Sequence, residues 1–260
     1  MTLKALFLGV DGTLAETADV RRAAFNQAFD EFGLNWIWAR PAFHQIQINA
    51  PPGQEIAYYG AHHYPEDWKN LQSSGQIPQV IQRQSEIYLD LLEAGAAQLR
   101  PGIARLLAAA IDGGLAVMLC STRPRLEYET LLFNRFGLEM IERLSGSVAI
   151  EDLGTCDVRS CYRLALRRSG LHPREVLTIE DSAAGLDAAA RLGITTLITP
   201  SQYTVTQHFK GARLVLSDLG HPAAPFNVLQ GDAARYGYVT LEALRQWHAD
   251  SLLQPESSAA

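Results

Sequence analysis

Three short polar stretches each stand directly behind an apolar run: Asp11-Gly12-Thr13 behind Ala5 to Val10, Ser121-Thr122 behind Val117 to Cys120, and Glu180-Asp181-Ser182 behind the run that ends at Ile179. Carboxylates so placed transfer protons or serve as the hard oxygen ligands that magnesium prefers, and hydroxyls donate hydrogen bonds to an anion. Each stretch taken alone has a plainer reading. Asp-Gly-Thr also makes ordinary turns, polar residues commonly follow strands, and Asp181 or Ser182 is a good N-cap for a helix from Ala183. Their recurrence at successive strand ends is what points to one site.

The elements that must position them follow from the pattern. Ala5 to Val10 reads as a buried parallel strand, and Ala24, Phe25, Ala28, Phe29 and Phe32 fall at helical spacing before Gly33. Residues 34 to 98 are rich in Gln, Trp, Tyr and His and broken at Pro51-Pro52-Gly53, Pro65 and Gly75, which predicts a helical insertion. From Arg100-Pro101-Gly102 the pattern alternates: helix 102 to 112, strand 115 to 120, helix 124 to 135, strand 147 to 150, helix 158 to 169, strand 175 to 179, helix 183 to 191 and strand 194 to 198. A last helix is expected between Tyr236 and His248. Such alternation predicts an α/β fold with a doubly wound parallel sheet, whose ligands bind beyond the carboxyl ends of the strands. The expected division is a core of 1 to 14 and 95 to 225, a helical cap of 15 to 94, and a C-terminal extension of 226 to 260.

Bulk properties narrow the function. The 260 residues are 47% hydrophobic, enough for a sizeable core, and 22 Lys+Arg against 28 Asp+Glu give a formal net charge of -6, which argues against a nucleic-acid partner. Three cysteines, Cys120, Cys156 and Cys161, lack metal-ligand spacing. No stretch has the length of a membrane span, and the N-terminus lacks the apolar core and cleavage site of a signal peptide, so a cytoplasmic setting is expected.

In chain order, Asp11-Gly12-Thr13-Leu14, Ser121-Thr122 and Ile179-Glu180-Asp181-Ser182-Ala183-Ala184-Gly185 resemble the haloacid dehalogenase superfamily. Asp11 to Thr17, Ala23 to Phe29, Leu99 to Leu106, Tyr162 to Leu166 and Thr199 to Tyr203 further look like its CbbY branch of sugar-phosphate phosphatases, relatives of β-phosphoglucomutases and phosphoglycolate phosphatases. The resemblance implies a phosphatase in which an aspartate attacks the phosphoryl group in line and a magnesium ion offsets the crowded charge. It implies Asp11 as the acid/base, Thr13, Ser121 and Thr122 as phosphate-binding residues, Asp11, Glu180 and Asp181 as metal ligands, and a small phosphorylated metabolite as partner.

The chain departs from that pattern at linked positions. The family's Asp-x-Asp-Gly-Thr is here Gly9-Val10-Asp11-Gly12-Thr13, and Gly9 has no side chain to accept a phosphoryl group. The lysine of the third motif corresponds to Cys156-Asp157, with Arg159 a helical turn away, and the cap's basic loop corresponds to Pro51-Pro52-Gly53-Gln54-Glu55. The sequence therefore predicts a catalytically impaired phosphatase, with magnesium bound weakly or not at all. The alternatives are a working magnesium-dependent phosphatase or phosphomutase, and a pure interaction protein. His62-His63 point apart on a helix, Trp36 and Trp38 suit packing, and Cys120 and Cys161 suit an apolar strand and helix face.

Overall fold

Ala5–Gly9 forms the first strand, β1, and all five residues are buried. A strand covered on both faces has no need of polar alternation, which is why this segment reads as a continuous apolar run. The structure is a computed structural model and describes residues 1–50, 53–155 and 157–253. After β1 come β2 (Ala15–Glu16), the helices α1 (Ala18–Glu31), α2 (Arg40–Asn49), α3 (Glu55–His63), α4 (Pro65–Ser74) and α5 (Ile77–Glu93), and then β3 (Gln98–Leu99). The alternating part continues with α6 (Ile103–Asp112), β4 (Ala116–Cys120), α7 (Arg125–Arg143), β5 (Gly146–Val148), α8 (Ile150–Leu153), α9 (Val158–Ser169), β6 (Val176–Glu180), α10 (Ala183–Ala190) and β7 (Thr195–Ile198). It ends with β8 (Leu214–Leu216), β9 (Val228–Gln230) and α11 (Leu241–Leu253).

The chain divides into two compact units, Met1–Glu16 with the chain from Gln98 onward, and Thr17–Ala97. The first holds a seven-stranded sheet in the order β5-β4-β1-β6-β7-β8-β9. All neighbours run parallel except β8 and β9. The fold is the doubly wound α/β sheet that the alternation implies. From β1 the chain builds outward to β4 and β5 on one side and to β6, β7 and β8 on the other, so the switch point lies at the carboxyl end of β1. Crevices for ligands form at such points. On one face Ala5, Phe7, Met118, Cys120 and Val176 pack against Cys161, Tyr162 and Ala165 of α9 and Ala188 and Ala189 of α10.

Several boundaries differ from the sequence reading for local reasons. The strand expected at 147 to 150 stops at Val148, because the Asp152 side chain reaches back to accept the Ala149 N–H at 2.9 Å and opens α8. The helix expected to end at residue 135 runs to Arg143 across a break at Gly137, whose φ is 74°. α11 begins at Leu241, where the Thr240 hydroxyl accepts the Ala243 N–H at 3.0 Å. β8 and β9, three residues each, are too short for patterning to register.

The second unit is helical, with α1 packed on α5. Its core is aromatic: Trp38 meets Phe25, Phe29, Phe43 and Tyr59 at centroid distances of 4.5 to 5.5 Å. Trp36 packs on Phe29, Tyr59 and Tyr64 and donates its indole N–H to Asp67 at 3.0 Å. Both tryptophans are packing residues. His62 and His63 pack at a tilt against different rings, Tyr58 and Tyr59 respectively. Of the expected grip loop, Pro51 and Pro52 lie outside the described residues.

Candidate functional site

Parallel pairing brings the three polar stretches together. Gly9, the last residue of β1, pairs with Cys120 of β4, while Leu8 pairs with Ile179 of β6. The next residues of each strand therefore share one rim. Gly9, Val10, Asp11, Cys120, Ser121, Thr122, Val158, Cys161, Glu180, Asp181 and Ser182 line a single cavity of about 130 Å³.

The Asp11 loop is a tight turn in which the Leu14 N–H donates to Val10 O at 2.9 Å and the Gly12 N–H to Ala15 O at 2.8 Å. Gly12 is required there. Its φ is +71°, and a Cβ would fall 2.1 Å from Asp181 Oδ2. The Asp11 carboxylate is 40% exposed, and its Oδ2 lies 3.9 Å from Arg123 Nε.

Ser121 is buried, held by its N–H on Val148 O at 3.0 Å. Its Oγ accepts the Arg123 N–H at 3.0 Å, which leaves the hydroxyl hydrogen to donate to an anion in the cavity. The Cys161 thiol donates to Ser121 O at 3.7 Å. Ser182 caps α10 by accepting the Gly185 N–H at 3.1 Å, so Asp181 is not needed as a cap.

The two adjacent carboxylates are withdrawn from water. Burial, reinforced by the neighbouring Asp181 charge, pushes Glu180 up to about 8. Burial likewise pushes Asp181 up to about 7, against hydrogen bonds from the Ser201 and Thr204 side chains. The Thr204 hydroxyl donates to Asp181 Oδ2 at 3.2 Å. Arg100 also acts on Asp181, yet its guanidinium is committed to Glu16 and to Pro200 O and Ser217 O at 2.8 and 2.9 Å.

Gly9 sits where a side chain would have little room. A Cβ there would lie 3.0 Å from both Glu180 Oε2 and Thr13 Oγ1. Thr13 is 1% exposed and does not line the cavity, and its hydroxyl has no hydrogen-bond partner among the described residues. It faces the missing side chain. Ser121, Thr122, Asp11, Glu180 and Asp181 thus meet at the cavity, and Thr13 stands behind it.

The third motif contributes no cation. Cys156 lies outside the described residues, and Asp157 caps α9, accepting the Ser160 N–H at 3.0 Å. Arg159 lines a separate depression of about 420 Å³ with Asp187 and Arg191.

Three carboxylates are the right donors for magnesium in kind, and their arrangement is the test. Among the described residues no three His, Cys, Asp or Glu side chains group so as to hold a metal. Asp11, Glu180 and Asp181 line the cavity together and feel one another's charge, yet among the described residues they do not group as a three-donor set, so as arranged they do not make a formed magnesium site. Sequence reasoning missed Tyr162, whose hydroxyl donates to Glu180 Oε1, and the Ser201-Thr204 pair beneath Asp181. No sequence signal marks a buried tyrosine on an apolar helix face as a partner of a distant strand end.

A doubly wound sheet with an acid-lined crevice at its switch point is the architecture of haloacid dehalogenase-like hydrolases; that family's sequence profile matches residues 3–193, and the chain belongs to this family. Within it the chain falls in the CbbY-like branch. It is 35% identical to the plasmid-encoded protein CbbY of Cupriavidus necator over 97% of this chain and 99% of that protein. Two crystal structures of CbbY from Rhodobacter sphaeroides, each 29% identical, share the fold. The phosphate complex gives a TM-score of 0.72 over 83% of this chain and 94% of the other. A point mutant in complex with xylulose-(1,5)bisphosphate gives 0.73 over 85% and 98%.

Proposed function

We propose that this protein is a CbbY-like phosphatase homologue that retains the phosphate-facing half of the site and has lost turnover. The observation that carries the reading is Gly9 at the end of β1: no carboxylate stands where the family's nucleophile would, and the adjoining space is taken by Glu180 and Thr13. Ser121 and Thr122 supply hydrogen-bond donors for phosphoryl oxygens, Asp11 keeps the acid/base position, and Arg123 adds a positive charge at the rim. Without a nucleophile on which a covalent intermediate forms, proton transfer by Asp11 has no step to serve.

The ligand class is a small phosphorylated metabolite, supported by the sugar bisphosphate bound to the Rhodobacter sphaeroides relative. A cavity of about 130 Å³ takes the phosphoryl end of such a molecule. Hydrolases of this family generally use magnesium. Here the proposed affinity is weak, since Asp11, Glu180 and Asp181 do not form a three-donor group. The helical unit Thr17–Ala97 is assigned the role of a cap. Cys120 and Cys161 are free thiols, in keeping with a reducing cytoplasm, and among the described residues no helix is long and apolar enough to cross a membrane.

The test is turnover of p-nitrophenyl phosphate and of a pentulose bisphosphate with magnesium. The expected rate lies at least about 10,000-fold below that of a relative with an intact Asp-x-Asp-Gly-Thr motif, the scale of loss on deleting a nucleophile. Rates within about tenfold of that relative, in a preparation freed of contaminating phosphatase, would establish a working enzyme instead.

A further inference from the structure

Glu180 lies between two positions that carry no side chain. A Cβ on Gly9 would come within 3.0 Å of Glu180 Oε2, and one on Gly185 within 2.4 Å of the same oxygen. The carboxylate thus occupies space that any side chain at position 9 would need. Gly185, within α10 where glycine is unfavourable, leaves the room on the other side.

Tyr162 holds the carboxylate in this place. Its ring is fully buried on the inner side of α9, and its hydroxyl donates to Glu180 Oε1. Thr178 Oγ1 lies 3.0 Å from that hydroxyl and 3.0 Å from Phe7 O, which ties the phenol to the middle of the sheet. Glu180 Oε2 accepts the Asp181 N–H at 3.3 Å. Both carboxylate oxygens therefore serve bonds within the chain. Tyr162 does not line the cavity, so its hydroxyl reaches the site only through Glu180.

We infer that Tyr162 is a positioning residue that latches Glu180 into the volume beside Gly9 and so keeps this carboxylate from joining Asp11 and Asp181 around a divalent cation. The inference rests on the proposal that the site lacks a formed magnesium centre, and the two fail separately. A phosphoenzyme on the wild-type protein would defeat the proposed loss of turnover and leave the magnesium comparison below intact.

Tyr162→Phe keeps the buried ring and removes the one bond. Breaking the Tyr162–Glu180 hydrogen bond opposes any move of Glu180 toward a cation, so its removal raises magnesium affinity about two- to tenfold over wild type. The readout is calorimetric titration with magnesium chloride alone. In the Glu180→Gln background the same substitution gives no gain, because the group it releases is no longer a carboxylate. Wild-type affinity in Tyr162→Phe, or a gain that persists in the Glu180→Gln background, overturns the assignment. Should Tyr162→Phe fail to fold, a wild-type crystal soaked in magnesium chloride decides. A carboxylate free of metal, or one that has left Tyr162 to reach the metal, supports the latch; magnesium on Glu180 with the tyrosine bond intact overturns it.

Discussion

Asp152 and Glu180 are both acids drawn into the same α/β unit, and the protein treats them in opposite ways. Asp152 receives the Arg168 guanidinium at 2.7 Å, the Arg125 guanidinium at 2.5 Å and the Ala149 N–H at 2.9 Å. Those bonds, the Arg168 bond foremost, hold its carboxyl down to about 2. Glu180 has a tyrosine hydroxyl on one oxygen and another carboxylate as its sequence neighbour, and it sits at about 8. The chain is thus able to compensate a partly buried acid with arginine and does so at the rim of the sheet. At the switch point Glu180 has no arginine on its carboxylate among the described residues and is pushed up by burial, a pattern common at functional sites.

The largest expected effect comes from trying to make the switch point work again. Gly9→Asp alone recovers less than about tenfold in phosphatase rate, because the new carboxylate would crowd Glu180 and share its charge without a balancing cation. Adding Cys156→Lys recovers more than the product of the two single gains, since nucleophile and cation act as one unit. Steady-state rates for the three variants check this, and independent gains would break the contrast between the two regions.

The next effect is on stability. Glu180 and Asp181 are raised in the folded state, so their contribution is fully present below the unfolded carboxylate range and is lost as pH rises through about 7 and about 8. The metal-free protein is therefore expected to be less stable near pH 9 than near pH 5, by on the order of 3 kcal/mol. Glu180→Gln flattens that slope. Denaturant melts across the range measure it, and a wild-type profile that rises toward alkaline pH would refute the assignment.

The smallest effect belongs to Asp152. Its carboxyl is depressed, so its contribution is present above the unfolded value of 3.8 and is lost as pH falls through about 2. Arg125 and Arg168 are about a third exposed, and solvent screening trims the gain. Asp152→Asn should cost about 1 kcal/mol at neutral pH, and the difference from wild type should close in strong acid. Equal costs at both pH extremes would mean that the side chain acts by packing and not by charge.

How much of this was legible in the sequence follows from what kind of force sets each feature. β1, β4 and β6 announce themselves because strands buried on both faces must be continuously apolar, and the polar residues that end those runs, Asp11, Ser121 and Glu180, mark the strand ends. Gly9 was visible as a gap in a motif. The Tyr162 bond, the Thr13 hydroxyl without a hydrogen-bond partner among the described residues, and the Thr204 support of Asp181 were not, since each depends on tertiary distances between segments whose own patterns are merely helical or loop-like. β9 escaped for the opposite reason: three exposed residues at a sheet edge carry no burial signal at all.

The central claim, that this acid-lined cleft accepts no phosphoryl group, is tested most directly by intact-mass measurement on wild-type protein. The protein is incubated with magnesium and either acetyl phosphate or a pentulose bisphosphate, then quenched in acid, with a nucleophile-bearing CbbY relative alongside. The relative is expected to gain the mass of one phosphoryl group and this protein none, because the carboxyl end of β1 offers only Gly9. A phosphorylated wild-type chain, with the group mapped to any residue lining the cavity, would contradict it.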